Sequence, residues 1–203
     1  PAPGSDAATI LDEILTSREI YQKIFTGRNY ESNLQRSELM KQHVMEHIRH
    51  AQAGGERMPK ALFKFGSNHM YRGAATTNTY ELGTFLPEIA IGNGSHAFSM
   101  LVLFQGGSQN AYRPFGATEA DKTAPYDPVA SWKAYDQALD VSPFLSAGRT
   151  TASDAQVVID LRPLRPLLNG GSLSRVDARV RRMLLAFDAV VVFQEAHAST
   201  LIR

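Results

Sequence analysis

The sequence predicts an α/β fold: a mostly parallel sheet of about four strands flanked by helices. Three observations predict it. Two long segments near the start, 6–26 and 29–53, carry apolar residues at helical spacing. Four short apolar runs follow, at 61–65, 99–104, 157–161 and 189–193. Unbroken apolar runs of this kind suit strands covered on both faces. Helical or loop stretches separate them, as parallel pairing requires.

The elements follow in order. Ser5 or Asp6 can cap the first helix, in which Ile10, Leu11, Ile14, Leu15, Ile20, Tyr21 and Ile24 recur with its period. Gly27 is a natural stop. The second helix carries the stripe Leu34, Met40, Val44 and Ile48 and ends at Gly54-Gly55, with Pro59 beyond. Ala61–Phe65 is then the first predicted strand, followed by the turn Gly66-Ser67-Asn68-His69. Glu81–Ile91 reads as a short helix and Ser99–Phe104 as a second, fully buried strand. From about 106 to 153 the chain reads as a long irregular excursion rich in Pro, Gly and Ser, with one short helix near 130–139. Excursions of that length in a folded domain are usually functional. Val157–Leu161 is strand three, Arg175–Ala186 a basic helix, and Ala189–Phe193 strand four.

Composition narrows the function classes. At 203 residues and 22.3 kDa the chain fits one α/β domain, 1–203. Twenty-one Lys and Arg against 20 Asp and Glu leave a net charge of +1, which offers no argument for a nucleic-acid partner. No apolar run approaches the ~20 residues of a membrane span. The absence of cysteine removes disulfides, thiolate catalysis and cysteine-ligated metals. Pro1-Ala2-Pro3-Gly4 opens no secretory leader, and the compartment stays open.

The most informative segment is Lys64-Phe65-Gly66-Ser67-Asn68-His69-Met70-Tyr71-Arg72-Gly73. Ligands of open α/β sheets bind outside the carboxyl ends of the strands, and His69 is placed just past one. A histidine there can act as general base or acid near neutral pH. Asn68 can orient it or donate to an oxyanion, and Arg72 can hold a carboxylate or developing negative charge. Ser67 makes a weak nucleophile, because its surroundings lack the second glycine of Gly-x-Ser-x-Gly. His43-Val44-Met45-Glu46-His47 spells H-x-x-E-H, which sets two imidazoles one turn apart beside a water-activating carboxylate. His50 extends that stripe, and Glu119 is a candidate third ligand. The plainer reading is a polar helix flank. Glu31, Arg36 and Glu38 open the same helix, where acids complement the helix dipole. Arg175, Arg179, Arg181 and Arg182 read as a solvated helix face.

The order of these motifs resembles that of erythromycin-esterase-like proteins. Arg36-Ser37-Glu38-Leu39-Met40 looks like their R-x-x-x-M helix signature, and Phe63–His69 their strand ending in an Asn/His turn. The Gly-containing helix Glu81–Leu86 and the terminal strand near Phe187–Phe193 follow in the same order. The resemblance implies an α/β fold related to haem-binding iron-uptake lipoproteins and Tiki-type proteases, and metal-independent ester hydrolysis without a cofactor. It implies that His69, Arg36 and Asn68 correspond to family site residues. It also implies that this chain matches the C-terminal half of such a fold, with an N-terminal half of the same protein as partner.

Three readings result. The first is an ester hydrolase with His69, Arg36, Asn68 and Arg72 as catalytic residues and Lys64, Tyr71 and Glu38 contacting a small-molecule substrate. The second is a binding protein for haem or an anionic metabolite on the same fold. The third is a zinc peptidase through His43, Glu46 and His47.

Overall fold

A computed structural model describes residues 5–110, 123–135, 139–152 and 155–198. The chain divides into two units, Pro1–Ala97 and Phe98–Arg203.

The first unit is helical. Helix α1 (Asp6–Phe25) starts where the Ser5 hydroxyl accepts the Ala8 N–H at 3.3 Å, and stops at Gly27, whose φ of +78° suits a residue without Cβ. Helix α2 (Asn29–Ala53) folds back against α1 after that tight turn. The hairpin is fastened near its turn, where the buried Ser32 hydroxyl donates to the Ile20 carbonyl at 2.9 Å. Only Ile20 of α1 is buried; Ile10, Leu11, Ile14 and Leu15 stand exposed. The short helix α3 (Ser67–Met70) and helix α4 (Leu82–Gly92) complete the unit, with Leu82, Leu86 and Ala90 of α4 in its core. A tight turn between them is closed by the Ala74–Tyr80 bridge and by Ala75 N–H donating to the Thr79 carbonyl at 3.0 Å. Asn78 sits in that turn at φ +60°, a left-handed conformation asparagine tolerates.

The predicted first strand is not one. Ala61–Phe65 is coil, and Leu62 is 93% exposed. A strand exists only against a partner that takes its backbone hydrogen bonds. Among its described residues the first unit has no strand to offer, so apolar composition alone leaves this segment unpaired. His69 therefore does not follow a strand end; it lies in α3.

The second unit carries the sheet, and it is not the mostly parallel four-stranded sheet expected. Strands β1 (Met100–Phe104), β4 (Gln156–Asp160) and β5 (Ala189–Phe193) form a mixed sheet in the order β1-β5-β4. β5 runs parallel to β1 and antiparallel to β4. The predicted excursion contributes the two-stranded antiparallel β2 (Ser108–Asn110) and β3 (Thr123–Pro125), then α5 (Pro128–Tyr135) and α6 (Ser142–Ala147). A 3₁₀ helix (Arg162–Leu168) and α7 (Ala178–Ala186) lie between β4 and β5. Leu101, Leu103, Val190 and Val192 face the core with Met183, Leu184 and Phe187.

The other sheet face is not covered as the apolar runs suggested. Val102, Val191 and Val158 form one cross-strand row, yet Val102 and Val158 are exposed. One covered face is characteristic of sheets with antiparallel pairing. The start of β5 is anchored by Asp188, whose carboxylate accepts the Ser99 N–H at 2.8 Å and an Arg165 guanidinium N–H at 2.9 Å. Among the described residues no helix is long and apolar enough to cross a membrane.

Candidate functional site

The alternation Thr77, Thr79, Glu81 carries three polar side chains to one side of the segment that enters α4. Glu81 occupies the N-cap position of α4 with extended backbone, but its carboxylate does not cap the helix. It turns instead into the unit and is 1% exposed. There Oε1 accepts from the Thr79 hydroxyl at 2.6 Å and the Thr77 hydroxyl at 3.2 Å. Oε2 faces His69 Nδ1 at 3.2 Å. The buried Ser37 of α2 lies alongside and donates to the Tyr80 carbonyl at 3.1 Å, which Lys41 also reaches.

A carboxylate buried this deeply is tolerated only with such partners. Burial pushes the Glu81 pKa up. The hydrogen bonds from His69 and Thr79, the charge of His69 and the Ser37 hydroxyl outweigh that and hold it below the ordinary glutamate value. Glu81 is therefore ionised near neutral pH and can only accept hydrogen bonds. It follows that the His69 nitrogen facing it, Nδ1, carries a proton and donates to Oε2. The His69 side chain is 25% exposed, and the Phe65 ring meets it edge-on at a centroid distance of 6.1 Å. A buried carboxylate and an oriented, partly exposed imidazole can move a proton to and from a bound molecule.

The neighbouring candidates divide into groups. Asn68 shares α3 with His69, and its Oδ1 accepts from the Thr76 hydroxyl at 2.9 Å. Arg72 is half-buried three residues past His69, and Lys64 is exposed in the coil before it. Tyr71 is buried in the core, its ring beside Gly73. Arg36 stacks its guanidinium over the Tyr21 ring of α1 at 5.6 Å. The α2 residue beside Tyr80 and Glu81 is thus Ser37 rather than Arg36. Glu38 is exposed.

His43, Glu46, His47 and His50 are exposed along α2, and His43 Nε2 approaches Glu13 at 3.8 Å. Among the described residues no three His, Asp or Glu side chains gather as a metal would need. Glu119 lies outside the described residues. Arg179 and Arg181 are engaged with Asp177 and Asn169 around the start of α7.

Sequence reasoning singled out His69 and Asn68 but not Glu81, Thr79 or Thr77, which the structure gathers around His69. Two signals were available for them: the period-two spacing of Thr77, Thr79 and Glu81, and an acid placed directly before the apolar run of α4. Compared with family models, with curated proteins and with solved structures, the chain matches none.

Proposed function

We propose that the chain is an ester hydrolase in which His69, oriented by Glu81, is the general base. The observation that carries this reading is the 3.2 Å pairing of His69 Nδ1 with a carboxylate that is itself almost wholly buried. Orienting an imidazole through Nδ1 while leaving Nε2 accessible is the arrangement by which many hydrolases activate a nucleophile.

In this reading Nε2 removes a proton from water as the oxygen attacks the ester carbonyl. The tetrahedral oxyanion forms, and the imidazolium is steadied by the Glu81 carboxylate. Collapse breaks the bond to the alkoxy group, and Nε2–H returns the proton to the departing alcohol. Water and ester are consumed, acid and alcohol are formed, and the histidine is restored. In this reading Asn68 and Arg72, on the same segment as His69, are donors for the oxyanion.

The test is hydrolysis of p-nitrophenyl acetate by the purified chain and by His69→Ala. The variant should lose about 10²–10⁴-fold in kcat. Undiminished turnover by a variant with the circular dichroism of the parent would sink the reading.

A further inference from the structure

The first unit also contains an apolar cavity, of about 320 Å³. Val44 and Ile48 of α2, Met58 and Phe63 of the following coil, and Leu86 of α4 contribute to its lining, and His43 and His47 are its polar side chains. This volume lies at the lower end of the ~300–1,000 Å³ typical of small-molecule sites. A cavity so poor in hydrogen-bonding groups selects a ligand by apolar contact rather than by charge.

Two chain segments join this cavity to the histidine–carboxylate pair. Phe63 lines the cavity, and Phe65, two residues on, meets the His69 ring. Leu86 lines it as well, while Glu81, which holds His69, stands at the start of the same helix. Two residues of extended chain span at most about 7 Å, and five residues of helix rise about 7.5 Å. Both segments therefore keep the cavity within a medium acyl chain's reach of His69.

We infer that the cavity holds the unbranched apolar chain of a carboxylic acid or its ester. On the hydrolase reading, on which this assignment as a substrate subsite rests, it is the acyl subsite. The substrate class is then esters of medium-chain aliphatic acids. Each methylene entering the cavity should favour binding about fourfold until the space is filled.

Two measurements on the full chain test this. The first is kcat/KM for p-nitrophenyl esters from acetate to decanoate. The second is calorimetric titration with decanoate, which requires no turnover. Ala61, exposed at the cavity's lining, is replaced by tryptophan to occupy the space without disturbing the core. Val44→Phe fills it from the helix side as an independent check.

The expected result is a preference for long chains and binding of decanoate. Both should fall by about tenfold or more in Ala61→Trp, with acetate turnover unchanged. Decanoate bound by the parent but not by the variants, with no ester hydrolysed, supports the cavity as an apolar-chain site and overturns the hydrolase reading. Acetate hydrolysed with no chain-length preference and no binding of decanoate overturns the cavity assignment and leaves the hydrolase reading standing. Neither binding nor hydrolysis overturns both.

Discussion

Glu81 concentrates the chemistry of the first unit in one side chain. Its carboxylate is shared among two threonine hydroxyls and one imidazole, so replacing it tests orientation and stability separately. Glu81→Gln keeps the shape but removes the charge that fixes the His69 proton on Nδ1. The expected result is a fall in kcat of about a hundredfold or more, measured on p-nitrophenyl acetate with KM nearly unchanged. The same residue predicts an acid limb in stability. Its folded-state pKa is depressed below the ordinary value of 4.5, so its contribution is fully present above pH 4.5. That contribution is lost as the pH falls through the lowered folded value. Thermal melts of the parent should drop across that acid range, and melts of Glu81→Gln should drop less. Equal slopes for the two proteins would contradict the assignment. In the sequence, His69 was legible because a histidine in a Gly-Ser-Asn turn is conspicuous by itself. Glu81 was not, because an acid before an apolar helix reads equally well as a cap, and only the fold turns it inward.

Helix α4 holds that arrangement together through a close approach at Gly83. A Cβ on Gly83 would run into the backbone of Met70 and Tyr71, immediately after His69. The lack of a side chain lets α4 lie against the end of α3, and the Thr84 hydroxyl accepts the Gly73 N–H at 2.9 Å beside it. Gly83→Ala therefore forces α3 and α4 apart. It should destabilise the chain by about 1–3 kcal/mol, read as a lower urea midpoint, and on the proposed hydrolase reading it should lower ester turnover, because Glu81 and His69 sit on opposite sides of the contact. A variant with unaltered midpoint and activity would show that the two helices do not pack this way. Elsewhere the ends of α1, α2 and α4 were legible, since Ser5, Gly27, Gly54 and the apolar period act within a turn or two of chain. The segment Ala61–Phe65 was misread for the complementary reason. Its composition suits a strand, but strand formation depends on a partner that no local signal reports.

Across the whole chain, charge makes the broadest prediction. With a net charge of +1 and an isoelectric point near 8.5, binding to a polyanion should be weak and lost by about 0.2 M salt, as read by elution from heparin. Retention well above that salt would mean that a basic face outweighs the balance. The division into one helical unit and one sheet-bearing unit was not visible in the alternation of apolar runs. Those runs located β1, β4 and β5 closely, because burial of apolar residues is written into composition. They did not encode that β5 would lie between the other two, parallel to one and antiparallel to the other. The sequence by itself determined the ends of α1, α2 and α4, which runs become strands in the second unit, and that His69 stands in a polar segment. Tertiary structure alone decided strand order and direction, the coil at 61–65, the exposed face around Val102 and Val158, and the pairing of His69 with Glu81. Caps and periodicity act over a few residues of contiguous chain, whereas strand partners and buried ion pairs are chosen by segments that meet only once the chain has folded.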